Sequence, residues 1–145
     1  MNQRPKIDPA RLAEFEAAHL AHGSHIAGSK EKCDQEWAAY LANEPHSDAP
    51  ICVCQTIAAF RRSCNDNWPD AERDALKPSL VSCLGTASTP EVRTRRAVMA
   101  LDWTMRVHRP IWLEAAGLDE HAKQLRALPE IVDGDTFRAA LTIQE

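Results

Sequence analysis

The sequence has little glycine, with 5 residues in 145, and it lacks runs rich in β-branched and aromatic residues. Sandwiches and barrels need many such strands joined by glycine-containing turns, so these absences weigh against an all-β fold. No run of about 18 apolar residues occurs, which weighs against a transmembrane helix. The segment from Met1 to Pro9 is polar and has no hydrophobic region of a signal peptide. The sequence therefore predicts a protein that does not associate with a membrane.

The cysteines are five, an odd number, in a chain without an export signal. Secreted disulfide scaffolds normally carry an even number of cysteines, whereas free thiols are typical of a reducing compartment. We therefore expect a cytoplasmic location. The formal net charge of -4 gives no general attraction to nucleic acid, which argues against a nucleic-acid partner.

The common signatures of catalysis and ligand binding are also missing. Gly85-Thr86 lacks the other residues of a phosphate-binding loop. The chain contains no nucleophile elbow of the Gly-x-Ser-x-Gly type and no His-Glu-x-x-His zinc helix. No complete catalytic motif is readable, so the sequence leaves open whether the protein is an enzyme.

The sequence is 44% hydrophobic and 26% charged, which is typical of a globular protein. Apolar residues recur at steps of three and four, and capping residues precede several of these segments. We predict an all-α fold, a single-domain irregular orthogonal bundle of about six helices. An N-terminal tail (1–7) would precede a helical domain (8–131), followed by a C-terminal tail or short helix (132–145).

Capping residues and prolines set the predicted helix ends. Pro110 is expected to kink or restart the longest helix, and Asp135 to cap a short helix through Leu141. The remaining predicted helices run from Pro9 towards Gly23, from Ser29 towards Pro45, from Ile51 to Asn67, from Ala71 to Leu84 in two pieces divided at Pro78, from Pro90 to about His108, from Ile111 to Ala116, and from Asp119 towards Pro129.

The segment from His46 to Cys54 has the highest density of chemically capable side chains. An imidazole, a carboxylate and two thiols are ligands that zinc accepts, and a helix amino terminus lowers the pKa of a nearby thiol. Three interpretations stay open: a metal site with zinc or iron, a reactive thiol, or a helix cap with packed cysteines. The tentative metal ligands are His46, Asp48, Cys52 and Cys54, with His25 or Cys33 as substitutes.

Asp102 falls on the predicted inner face of the longest helix, where a carboxylate needs a partner. The candidate partners are His46, Arg61 and Arg106, the last at i+4 on the same helix. Either Asp102 forms a structural ion pair or it orients the imidazole of His46 or His25. Its neighbour Trp103 lies on a flank, where it could cover an interface.

Two further groups have both a structural and a functional interpretation. Asn65 and Asp66 end the third helix, where such residues are common in turns and could also contact a ligand. Arg93 and Arg96 share one helix side and predict either a solvated surface or a site for a phosphate or an acidic partner.

The function that we predict is a non-enzymatic binding or regulatory module, which recognises a protein partner or a small ligand through a polar corner around the loop from His46 to Cys54. The protein partner is either a different protein or a second copy of this chain, and the interface should include an exposed aromatic such as Trp68 or Trp103. The alternative function is a metal or reactive-thiol site at the cysteine-containing loop. The residues assigned to ligand or partner binding are His46, Ser47, Asp48, Asn65, Asp66, Asp102 and Trp103.

Several segments carry a family resemblance: Glu44-Pro45-His46-Ser47-Asp48, Pro50, Cys52-Val53-Cys54, Arg62, Asn65-Asp66, Lys77-Pro78, Leu84-Gly85-Thr86, Ala100 to Trp103, and Leu118 to Ile131. Together they resemble an uncharacterised family of small bacterial and phage-associated helical proteins. The resemblance covers about Ala38 to Ile131. It implies a shared fold and no particular activity.

Overall fold

The computed structural model describes residues 4 to 142 of the chain. Every regular element in that range is helical and none is a strand, which confirms the all-α prediction. These elements join into seven continuous helical stretches, close to the six expected. The orthogonal arrangement stays a prediction. Within the same range, no helix is both long enough and apolar enough to cross a bilayer.

The chain divides into two compact units at Thr89 and Pro90. The predicted domain boundaries stay a prediction. The first unit contains α1 (Pro9–Ala17), α2 (Asp34–Leu41), α3 (Gln55–Asn67), α4 (Asp70–Arg73), a 3-10 turn (Asp74–Leu76) and α5 (Lys77–Cys83). The second contains α6 (Pro90–Trp103), a π-helical turn (Thr104–His108), α7 (Arg109–Ala115), α8 (Asp119–Arg126) and α9 (Gly134–Thr142).

Helix α2 forms the centre of the first unit, since seven of its residues are buried. Trp37 and Leu41 pack in one hydrophobic cluster with Phe15 of α1 and Leu80 of α5. The Phe15 and Trp37 rings lie 5.6 Å apart between centroids. As predicted, Asp8 caps α1, because its Oδ1 accepts the amide of Ala10 at 2.8 Å.

Three helix ends in this unit differ from the prediction. Helix α1 ends at Ala17, well before Gly23, because an irregular segment (18–33) follows it. Helix α2 begins after Cys33, not at Ser29, because Glu36 closes a capping box there. Helix α3 begins at Gln55, not at Ile51, because the amides of Ile51 and Cys52 donate to the Glu44 carboxylate instead of entering a helix.

The second unit contains one helical rod from Pro90 to Ala115, within which α7 restarts at Arg109 with Pro110 in its first turn, in line with the predicted restart. A proline in a regular α-helix clashes with the carbonyl four residues earlier and offers no amide hydrogen. The wider π turn from Thr104 to His108 precedes Pro110 and accommodates it. The rod therefore continues through the proline.

The core of the second unit forms around Met105, which packs in one cluster with Leu125, Leu128 and Ile131. Val98 and Leu101 border this cluster, as expected for the inner helix face. The last helix, α9, exists, but Asp133 caps it rather than Asp135. The Asp133 Oδ1 accepts the amides of Asp135 and Thr136.

Candidate functional site

The segment from His46 to Cys54, which we call the polar loop, is closed by hydrogen bonds within the first unit. The two oxygens of Glu44 accept the amides of Ile51 at 2.6 Å and Cys52 at 2.8 Å. Ser47 Oγ accepts the amide of Ala49, and the carbonyl of Asp48 accepts a guanidinium N–H of Arg62 at 2.7 Å. These contacts fix the shape of the bend, so Ser47 and Asp48 take part in its structure.

His46 is directed inward, towards the irregular segment that precedes α2. Its Nε2 lies 2.7 Å from the carbonyl oxygen of His25 and 3.4 Å from Oε1 of Glu36. Both neighbours are acceptors when Glu36 is ionised, so the proton resides on Nε2, which donates to the carbonyl. His46 thereby joins the polar loop to the beginning of α2.

Glu36 is the centre of this cluster, with a side chain that is only 1% exposed. One carboxylate oxygen accepts the amide of His25 at 2.6 Å, and the other accepts the amide of Cys33 at 2.7 Å and His25 Nδ1 at 2.9 Å. Burial alone raises the pKa of Glu36, but the hydrogen bonds from His25 and Cys33 outweigh it and bring the pKa below its ordinary value. The site therefore holds a buried carboxylate.

Sequence reasoning named His25 and Cys33 as substitute donors but missed Glu36. A glutamate three residues after a helix cap is the mark of a capping box, which would have placed the helix start at Cys33. Cysteine is an uncommon capping residue, so the prediction placed the helix start at Ser29 instead of Cys33.

His25 connects the buried carboxylate to a surface groove. The groove has a volume of about 640 Å³ and is lined by residues that include His19, His22, Glu31 and Asp70. Because Nδ1 of His25 contacts Glu36, Nε2 is the ring nitrogen left to the groove side, 3.9 Å from a carboxylate oxygen of Glu31. A carboxylate-oriented imidazole of this kind can bind a polar ligand or transfer a proton.

The predicted metal ligands do not converge. Among residues 4 to 142, no group of three or more His, Cys, Asp and Glu side chains is arranged to hold a metal ion. Burial and the nearby Glu44 carboxylate raise the pKa of Cys52 to about 11, against the lowering expected at a helix start. Cys54 is buried and its amide donates to Thr86 Oγ1. Cys52 is therefore a neutral thiol near pH 7.

Asn65 and Asp66 hold the irregular segment (18–33) against α3. Asn65 is 1% exposed, accepts the amide of Asp34 and donates to the carbonyl of Ala21. Asp66 accepts the amide of Gly23 at 3.0 Å. Both residues thus have structural partners, which fits the first of their two predicted roles.

Asp102 forms an ion pair within the second unit. Its Oδ1 lies 2.7 Å from Nε of Arg106, the i+4 partner considered from the sequence, and also accepts the amide of Ile131 at 2.9 Å. The Arg106 guanidinium, helped by the Ile131 amide, holds the pKa of Asp102 below its ordinary value. The carboxylate thus joins α6 to the segment that follows α8, and its predicted role in orienting His46 stays a prediction.

Trp103 belongs to an aromatic ladder along the outer side of the rod. Its ring stacks on His108 with 5.1 Å between centroids and 21° between planes. Trp112 Nε1 donates to Nε2 of His108 at 3.0 Å. A spacing of five residues aligns side chains in a π turn and not in a regular α-helix, so this turn places Trp103 and His108 in register.

The ladder lies within an apolar surface that we call the aromatic face. No residue of α6 is buried, although the helix has 14 residues. Side chains of this size and exposure present on the order of 600 Å² of surface, at the upper end for a patch on a monomer. The aromatic face comprises Met99 (62% exposed), Trp103 (47%), Val107 (44%), Ile111 (53%) and Trp112 (65%), together with His108.

Comparisons of this chain with protein-family models, with curated proteins and with solved structures find no match. The side chains described above are therefore the basis for assigning a function, and the family resemblance stays a hypothesis.

Proposed function

We propose that this protein is a binding module that recognises another protein through the aromatic face of its second unit. The observation that carries the proposal is the exposed ladder of Trp103, His108 and Trp112. Tryptophan and methionine are enriched at protein interfaces, and tryptophan is among the residues that contribute most of the binding energy there. The π turn adds support, because π turns occur frequently at functional sites.

The ladder is also rigid, which favours recognition. The hydrogen bond from Trp112 to His108 and the stacking of Trp103 on the same ring fix three side chains before a partner arrives. Side chains ordered in advance lose less conformational entropy on binding.

A selection of displayed helical peptides tests this proposal without a known partner. Peptides enriched on the wild-type protein should lose at least tenfold in affinity on the Trp103→Ala and Trp112→Ala variants, since interface tryptophans each contribute about 2 kcal/mol or more. Trp68→Ala is the matched control, because Trp68 is an exposed tryptophan of the first unit. Peptides that bind all variants equally would contradict the proposal, as would binding to lipid vesicles in place of peptides.

A second candidate function is recognition of a small polar ligand in the groove beside His25. The observation that favours it is the buried Glu36 carboxylate, which orients the imidazole towards the groove. A fragment screen by NMR should shift the His25 ring resonances in the wild-type protein and leave the ring of His121 unchanged. No shift at His25 with any fragment would remove this candidate.

The metal or reactive-thiol function has less support. Its four proposed ligands do not form a donor group, and Cys52 is protonated at neutral pH.

A further inference from the structure

We infer that the partner of the aromatic face is a second copy of this chain, bound antiparallel across a two-fold axis. This inference rests on the proposed function and names the partner for the same surface. Three observations carry it: the spacing of the apolar side chains, the charges at the two ends of the rod, and the area that the face exposes.

The spacing is self-complementary. We place the two-fold axis at the level of Met105. Residues at equal distances before and after position 105 then face each other across the two copies, so the numbers of a facing pair add to 210. Met99 of one copy then faces Ile111 of the other, and Trp103 faces Val107. Each member of this row thus meets another member, as an isologous interface requires, because Met99, Trp103, Val107 and Ile111 are spaced by four residues symmetrically about position 105.

The charges are complementary in the same register. The first turns of α6 contain three arginines and one glutamate, and the exposed Arg95 lies among them. The same axis brings Arg95 opposite Ala115, where the rod ends and the acidic first turn of α8 follows with Asp119 and Glu120. Antiparallel pairing therefore sets arginines against carboxylates and against the negative end of a helix dipole. A parallel pairing would place arginines against arginines.

The area fits a dimer that forms and dissociates. With roughly 600 Å² from each copy, the interface would bury about 1,200 Å² in total, the lower limit for specific association. We therefore expect a dissociation constant in the micromolar range.

Sedimentation velocity and light scattering over concentrations up to about 1 mM, the weak end of specific binding, test the inference. The wild-type protein and the control Trp68→Ala should form dimers with the same dissociation constant. Trp112→Ala should raise that constant about 30-fold, which corresponds to about 2 kcal/mol.

A charge exchange tests the antiparallel register. Arg95→Glu and Glu120→Arg should each weaken the dimer several-fold, whereas both changes in one chain should restore it, since opposite charges then meet again. Lys30→Glu, at an exposed position of the first unit, is the control and should leave association unchanged. Failure of the double variant to recover would refute the antiparallel register.

A wild-type protein that stays monomeric at the highest concentration would overturn the second-copy inference. The peptide selection separates this failure from failure of the proposed function. A monomer whose aromatic face still selects peptides has a different protein as its partner. A monomer that selects no peptides overturns both proposals.

Discussion

Removing the Glu36 carboxylate is expected to destabilise the protein by about 4 kcal/mol, because buried donors lose a charged acceptor. In Glu36→Ala, the amides of His25 and Cys33 and the His25 ring would all lose their partner. Each buried donor left without a partner costs about 1–3 kcal/mol, and the costs are only partly additive.

Glu36→Gln separates charge from shape. Each carboxylate oxygen of Glu36 accepts a backbone amide, so either orientation of a glutamine amide group places an NH₂ against a donor. We expect a loss of about 2 kcal/mol, from one broken hydrogen bond to a charged group. Glu31→Gln, whose side chain is 79% exposed, is the control and should change stability by less than about 0.5 kcal/mol.

Urea unfolding followed by far-UV circular dichroism measures these changes in the free energy of unfolding. The pH dependence gives a second check. The pKa of Glu36 lies below its ordinary value in the folded state, so its contribution is complete above the unfolded pKa of about 4.3 and is lost as pH falls through the folded pKa. The difference between wild type and Glu36→Gln should therefore shrink below about pH 4. A Glu36→Ala variant within 1 kcal/mol of wild type at pH 7 would refute the reasoning.

Three other outcomes follow from buried contacts of the first unit. Arg61→Met should cost about 3–5 kcal/mol in urea unfolding because Asp34, 2.6 Å from the guanidinium, is left as an unpaired buried charge; a cost below 1 kcal/mol would contradict this. Gly85→Ala should destabilise more than Gly23→Ala by at least about 1 kcal/mol, since both have φ near +76° but only a Cβ at position 85 meets backbone atoms, at 2.9 Å. Cys52 should be alkylated at pH 8 far more slowly than a free thiol, because its pKa is about 11, and peptide mass mapping that found it modified first would argue for the thiol function.

Local rules predicted the elements that depend on neighbouring residues. Asp8 capped α1 as expected, and Thr89-Pro90 marked the start of the long helix, which begins at Pro90. The start of α2 was missed because its cap is a cysteine, an uncommon capping residue, although Glu36 three residues later carried the local signal of a capping box.

The candidate sites show the same difference between residues related by short-range spacing and residues that meet only in the folded chain. The sequence identified Trp103 as a candidate interface residue and Arg106 as a candidate partner for Asp102, because helical spacing of three to five residues is a short-range property. The sequence could not show that His46 faces Glu36, since these residues meet only through the path of the connecting chain.

The amino-acid sequence alone determined that this chain is helical, since periodicity and capping act over a few residues. Only the tertiary structure decided which polar groups are buried together and that a π turn (Thr104–His108) precedes Pro110. That turn rotates the following residues relative to a regular helix, so it set which aromatic side chains lie in one row. Burial and register depend on contacts between distant segments, and no local pattern contains them.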